Sequence, residues 1–341
     1  KEHKSTFQFC ENGAKAVTWE ATSKRVTPEF LAQNTVTSLL QKTDYELEDY
    51  GRLTTPLIYD AGTDTLRPLA WDEAFQRIAA VLQTLPPEQV EFYTSGRASN
   101  EAAYLFQLFA REFGSNNFPD CSNMCHEPTS VGLPQSIGIG KGTVSLDDFD
   151  SAELIISIGH NPGTNHPRMM GTLHELARKK VPIIVFNPLR ERALERFTDP
   201  QNVIEMATYS STPIASTYYQ VKAGGDAAAL KGIAKALLQL NETQGHAVDH
   251  AFIAEHTEGF AAFAADLAAT RWEAIEVESG LTRQDLEQVA AAYAKSNATI
   301  VTYGMGITQH NKGTANVRLI ADLLLLRGNI GKPGAGICPL R

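Results

Sequence analysis

The chain has 341 residues, with 30 Lys and Arg against 39 Asp and Glu and a formal net charge of -9. That length allows two or three domains around a sizeable core. The acidic balance excludes the basic footprint of a nucleic-acid-binding protein, and no apolar run reaches the ~20 residues of a membrane span. Residues 1 to about 50 show little periodicity and predict a small, irregular N-terminal segment. An amphipathic helix is predicted over 69–85, stopped by Pro86 and Pro87. Residues 90–94 read as a strand followed by a turn at 95–97. Residues 100–113 read as a helix, with Ala103, Phe106, Leu108 and Phe109 giving a broad apolar face.

Beyond residue 120 the chain turns into strand–loop–helix units. Strands are predicted at 153–158, 181–186 and 298–303. Helices are predicted at 167–179, 225–240 and 317–326, with two or three more in the alanine-rich stretch 246–295. Near-continuous apolar strands alternating with helices mean an α/β fold, a parallel sheet covered by helices on both faces. Four cysteines, Cys10, Cys121, Cys125 and Cys338, are too few and too scattered for a disulfide framework. They fit a reducing, cytoplasmic setting. The chain opens on Lys1 rather than Met, so its lack of a targeting signal carries no weight.

Ligands of open parallel sheets bind beyond the carboxyl ends of the strands. Here those ends are chemically alike: Ser95-Gly96-Arg97-Ala98-Ser99-Asn100, Gly159-His160-Asn161-Pro162-Gly163-Thr164-Asn165-His166, Asn187-Pro188-Leu189-Arg190 and Gly304-Met305-Gly306-Ile307-Thr308-Gln309. Glycine admits close approach of a ligand to backbone. Amides and hydroxyls read heterocycle edges and ribose, and arginine pairs with phosphate. The set points to a nucleotide-bearing cofactor. Gly304-x-Gly306 lacks the third glycine of a dinucleotide fingerprint, which disfavours a plain nicotinamide dehydrogenase.

The stretch Asp120-Cys121-Ser122-Asn123-Met124-Cys125-His126-Glu127-Pro128 places a thiol beside an imidazole. A thiolate selects soft metal centres, and an adjacent histidine can titrate near neutral pH. Two other readings stand beside this one. A zinc site from Cys121, Cys125 and His126 lacks a clear fourth ligand. A thiol–imidazole nucleophile pair more often draws its histidine from far away in sequence.

These motifs, with Gly328-Asn329-Ile330-Gly331-Lys332-Pro333-Gly334-Ala335-Gly336 leading into Pro339-Leu340-Arg341, resemble the molybdopterin-dependent oxidoreductases of the dimethyl sulfoxide reductase superfamily. The sequence is most similar to the formate dehydrogenase catalytic subunit and its formate-dehydrogenase-like relatives, including an acid-resistance branch. The resemblance implies molybdenum held by two molybdopterin guanine dinucleotides, with Cys125 as the protein ligand to the metal. His126 is implied as the residue that accepts or relays the substrate proton, and Arg341 as the one that holds a formate carboxylate. Gly159, Asn161, Thr164, His166, Asn187, Pro188, Gly225, Asp226, Gly304, Met305 and Gln309 match stretches that cradle the dinucleotide. Arg97 and Asn100 match a loop at the pterin or its phosphates, and Lys42 a lysine between cluster and pterin.

Family members usually carry four cysteines for an iron–sulfur cluster near the N-terminus. Here Leu40 stands in the place of the last of them and Cys10 stands alone, so no 4Fe-4S cluster is expected. Family chains are about twice this length, which implies a fragment. On that reading residues 1–50 are a small N-terminal domain and 51–120 part of a second α/β domain. Residues 121–341 are then a complete domain for the guanine dinucleotide. The function implied is two-electron oxidation of formate, or of a similar small molecule, toward an unknown electron acceptor. The alternatives are another small oxo-substrate, or a nucleotide-binding interaction module without turnover.

Overall fold

Five short apolar segments align into one parallel sheet. In chain order they are β1 (Leu154–Ile158), β2 (Ile183–Phe186), β3 (Thr217–Tyr219), β4 (Thr299–Tyr303) and β5 (Gly336–Pro339). Their order across the sheet is β5-β4-β1-β2-β3. Register pairs Ile156 with Val301 on one side and with Ile184 on the other. This computed structural model describes residues 9, 13, 14, 17, 18, 21–94, 98–119 and 121–340, without the side chains of Cys121 and Ser122. Cys10, Arg97 and Arg341 lie outside the described residues.

Every residue of β1, β2 and β4 is buried, the signature of a sheet packed on both faces. Side chains alternate between two cores because successive Cβ atoms of a strand point to opposite faces. Leu154, Ile156 and Ile158 join Ile184, Phe186, Val301 and Tyr303 in the larger core. Ile155 joins Ile183, Val185 and Ile300 in the smaller. The smaller core is closed by Met170, Leu173 and Leu176, on the helix Pro167–Arg178. The larger is closed by the helices Asp226–Gln244, Arg283–Lys295 and Gly313–Leu325. Burial of a Leu or Ile side chain is worth about 1.5–3 kcal/mol, so this sheet is where the fold is held.

The chain divides into two compact units, residues 121–341 with residues 1–10, and residues 11–120. In the latter, three short helices, Pro28–Gln33, Val36–Leu39 and Asp44–Asp49, are each N-capped by a threonine: Thr27, Thr35 and Thr43. Thr43 and Glu46 form a full capping box. Helix Trp71–Leu82 leaves Trp71, Phe75, Ile78 and Val81 exposed along one stripe. The helix Asn100–Phe113 begins at the Ser99 cap. Phe106, Phe109 and Phe113 of this helix surround Phe92 at 5.6, 5.8 and 5.8 Å between ring centroids.

Two sequence expectations need correction. Residues 90–94 pair with no strand among the described residues. Instead the Phe92 N–H donates to the Asn117 carbonyl, and the Val90 carbonyl accepts from Ser115 Oγ and Asn117 Nδ2. A loop thus satisfies backbone that an apolar run predicts for a ladder. The stretch 246–295 holds four helices rather than two or three, His250–His256, Phe260–Ala269, Trp272–Ser279 and Arg283–Lys295. Gly259 and Gly280, both at positive φ, cut the alanine-rich pattern into shorter pieces. Among the described residues no helix is long and apolar enough to cross a membrane.

Because Ile156 lies fully buried on the central strand, Ile156→Ala is expected to cost about 3 kcal/mol in urea unfolding. Val203→Ala, at an exposed position, is expected to change stability by less than about 0.5 kcal/mol.

Candidate cofactor cavity at the strand ends

The direction of travel across the sheet reverses at β1. The chain passes from β1 to β2 to β3 on one side, then returns to place β4 and β5 on the other. The crevice beyond the carboxyl ends of β1 and β4 is therefore the expected ligand position. A cavity of about 400 Å³ lies there, lined by Cys125, Gly159, His160, Asn161, Asn165, His166, Asn187, Glu191, Gly304, Met305, Gly306 and Leu340.

Its floor is backbone. Gly159 adopts φ +57, and a β-carbon there would sit 2.9 Å from the Gly306 carbonyl carbon. A β-carbon on Gly306 would sit 2.8 Å from the Gly159 Cα. The Gly306 N–H donates to the Gly159 carbonyl at 3.0 Å. Only glycine at both positions lets the two strand-end loops touch.

The walls are held by bonds within the protein. Asn161 caps a short helix by accepting from the Thr164 N–H, and its Nδ2 donates to Glu191 Oε2 at 2.7 Å. The Glu191 N–H donates to Tyr218 Oη, which in turn donates to the Leu189 carbonyl. Arg190 is turned away to Glu195 and stacks over the Tyr218 ring. On the opposite wall, Thr308 Oγ1 donates to the Cys125 carbonyl and Gln309 Nε2 to the Met124 carbonyl. The loop after β4 thus fixes the backbone that carries the thiol. Asn316 Nδ2 braces that loop by donating to the Ile307 carbonyl.

His126 occupies a bend in the helix Cys121–Ile137, at φ -138 and ψ 20, and is fully buried. It does not line the cavity. Its Nε2 lies 2.7 Å from the Leu340 carbonyl, which can only accept, so Nε2 carries a hydrogen. In the neutral ring Nδ1 then accepts from Thr129 Oγ1 at 3.0 Å. Having spent its one hydrogen, Thr129 accepts from Tyr303 Oη at 2.8 Å. The imidazole is thereby oriented by fully buried Thr129 and Tyr303.

The structure gathers Cys125, Gly159, Asn161, His166, Asn187, Gly304 and Met305 around one cavity. Thr164 and Gln309 support its walls. Pro188, Gly225 and Asp226 do not line it. The Pro188 carbonyl accepts from Gln220. A β-carbon on Gly225 would lie 2.5 Å from the Glu278 carbonyl oxygen, so that glycine serves packing. Asp226 is buried against Ile158, Phe186 and Leu230, and desolvation lifts its pKa from 3.8 to about 6. Lys42 and Asn100 belong to the other unit, where Lys42 lies 3.9 Å from Glu46 and Asn100 opens its helix.

Of the lining residues, Glu191 stands in no motif that the sequence singles out, while His160, Asn165, Gly306 and Leu340 stand in those motifs without a role of their own. His160 is 5 % exposed, its Nε2 is 2.9 Å from His166 Nδ1, and burial holds its pKa down to about 3. The usable signal for Glu191 was position, five residues beyond the end of β2.

The sequence profile of the molybdopterin oxidoreductase family matches residues 52–341. The chain belongs to that family. It is 57 % identical to protein YdeP of Escherichia coli K12, over all of this chain and 46 % of that protein. It is 31 % identical to formate dehydrogenase H of the same organism, over 85 % of this chain and 38 % of that protein. Acetylene hydratase from Pelobacter acetylenicus shares the fold, with a TM-score of 0.56 at 17 % identity over 80 % of this chain and 34 % of that one. The chain thus spans less than half the length of the curated relatives it matches.

Two glycines separate strain from collision. Gly159 and Gly331 both have positive φ, but a β-carbon on Gly331 meets open space. Gly331→Ala is expected to cost about 1 kcal/mol in thermal or urea unfolding, and Gly159→Ala distinctly more. A pH series tests Asp226. At low pH its carboxyl is neutral in both states and costs nothing. As pH rises from 3.8 to about 6 the unfolded state ionises this acid while the folded state keeps it neutral, so stability falls across that window and levels off above it. Asp226→Asn is therefore expected to stabilise by about 2 kcal/mol at pH 7.5 and by little at pH 4.

Proposed function

We propose that the cavity holds the guanine dinucleotide end of a molybdopterin cofactor, and that the native polypeptide carrying this chain is a molybdenum oxidoreductase acting on formate or a similar small molecule. The carrying observation is that Cys125, a free half-buried cysteine, lines the same cavity as the glycine floor at the sheet's switch point. The strand order, with its reversal at β1, is that of a dinucleotide-binding sheet. The residues fit the group. Glycine backbone admits a phosphate chain, Asn161, Asn165 and Asn187 offer amides to a heterocycle or ribose, and a half-buried free thiol is a soft metal donor. The exposed stripe Trp71, Phe75, Ile78 and Val81 supports the reading of 51–120 as part of a larger α/β domain.

When bound, the cofactor supplies the two-electron exchange that no ordinary side chain can. The protein's own residues do the rest. Cys125 would hold the metal, with its backbone pinned by Thr308. Arg341 would supply a planar, two-pronged donor for a carboxylate. His126 takes the substrate proton. With Nε2 already protonated toward Leu340, the ring nitrogen able to accept is Nδ1. The second reading, a nucleotide-binding protein without turnover, is favoured by one observation: His126 has both nitrogens engaged within the protein and does not line the cavity.

The native polypeptide, grown with molybdate, is expected to hold about one molybdenum per chain and to oxidise formate with an artificial acceptor. Changes one shell out from a metal cost about 10–100-fold, so Cys125→Ala is expected to lower turnover by more than about a hundredfold. Guanine nucleotide binding that survives without metal or turnover would decide for the second reading.

A further inference from the structure

One wall of the cavity carries a carboxyl group whose placement the fold does not require. Glu191 holds the N-cap position of the short helix Arg192–Glu195, yet its side chain caps nothing. That side chain reaches instead to two asparagines, and all three residues line the cavity. Glu191 Oε2 accepts from Asn161 Nδ2 at 2.7 Å, and Oε1 lies 3.5 Å from Asn187 Nδ2. The Glu191 backbone is fixed by its N–H, which donates to Tyr218 Oη at 3.0 Å. Arg190, the residue before it, is bonded to Glu195.

The direction of the stronger bond is settled by Asn161 itself. Its Oδ1 accepts from the Thr164 N–H, so its amide nitrogen must face Glu191. One amide hydrogen on each carboxyl oxygen leaves a lone pair on both. Such a group suits a ligand that presents two donors side by side. A phosphate chain offers acceptors and does not fit. A guanine nucleotide has two donor pairs, the vicinal hydroxyls of its ribose and the N1–H and amino edge of its base. Topology chooses between them. Glu191 stands on the loop after β2, beside the strand β1 whose end supplies the glycine floor. In dinucleotide-binding sheets the phosphates lie at the turn after the first strand, and the acid from the next strand end takes a ribose hydroxyl.

We propose that Glu191 is the ribose-reading residue of the cavity, its carboxyl oxygens accepting the 2′- and 3′-hydroxyls of the bound nucleotide. The inference rests on the nucleotide reading of the cavity and adds a specificity to it. A site built around a hydroxyl rejects the ligand that lacks it, because its buried acceptor is then left without a donor. Glu191 thus selects ribonucleotides over deoxyribonucleotides and is indifferent to the amino group of the base. It also sets the ligand's direction, with ribose at this wall and the phosphates over Gly159 and Gly306.

The test is equilibrium binding of GDP, 2′-deoxy-GDP, IDP and guanosine to the 341-residue chain. The wild type is expected to bind 2′-deoxy-GDP about tenfold more weakly than GDP. IDP, which lacks only the amino group of guanine, is expected to bind within about twofold of GDP. In Glu191→Ala, GDP affinity is expected to fall to the level of 2′-deoxy-GDP, so that the two no longer differ. Glu191→Gln keeps the shape and one acceptor, and its preference for GDP is expected to shrink to about threefold. Equal wild-type affinity for GDP and 2′-deoxy-GDP overturns the inference. So does a loss on IDP in place of 2′-deoxy-GDP, which puts the carboxyl on the base. So does a preference of about tenfold that survives in Glu191→Ala. If Glu191→Ala does not fold, the same preference surviving undiminished in Glu191→Gln is the overturning result. Should the wild type bind neither GDP nor guanosine, the nucleotide reading falls and this inference with it.

Discussion

The backbone of residue 159 lies against that of residue 306, and neither position has room for a β-carbon. That contact is the constraint on which the site depends. It brings the loops after β1 and β4 together where the strand order reverses. Any side chain there would push the loops apart and fill the space that forms the cavity floor. The contact is closed by a hydrogen bond from the Gly306 N–H to the Gly159 carbonyl, so close approach leaves no buried backbone group stranded.

Around this contact the walls are organised by the protein's own polar groups. Tyr218 spans from the Leu189 carbonyl to the Glu191 N–H. Asn161 both caps a helix and steers the Glu191 carboxylate. Thr308 and Gln309 hold residues 124 and 125 from the far side. Rigid elements behind such groups give a preorganised cavity, which binds a ligand with less ordering cost than mobile loops would. His174 does similar work away from the site. It is buried and bonded to Glu205 and Thr212, tying the helix Pro167–Arg178 to the excursion after β2.

The strands of this sheet were legible where they were long and apolar on both faces. Residues 154–158, 183–186 and 299–303 are buried throughout, and such runs have no other stable home. The edge strands were not legible. Thr217–Tyr219 has three residues, and Gly336–Pro339 reads as the end of a glycine-rich loop that closes with proline. Each becomes a strand because a neighbour presents an unpaired ladder, which is a property of the partner and not of the segment. The reverse error arose at 90–94, where an apolar run met a loop at 115–117 instead of a strand.

Sequence by itself determined the family, the alternation of strand and helix, and the residues that meet at the strand ends. Those features depend on local periodicity and on short motifs whose chemistry is written in residue type. Tertiary structure alone decided that His160 would be neutral and would face His166. It also decided that His126 would sit in a closed hydrogen-bonded chain, and that Gly225 would serve packing instead of the cavity. Those outcomes depend on burial and on partners distant in the chain. An imidazole's proton goes where desolvation and the nearest acceptor send it, and no stretch of sequence carries that information.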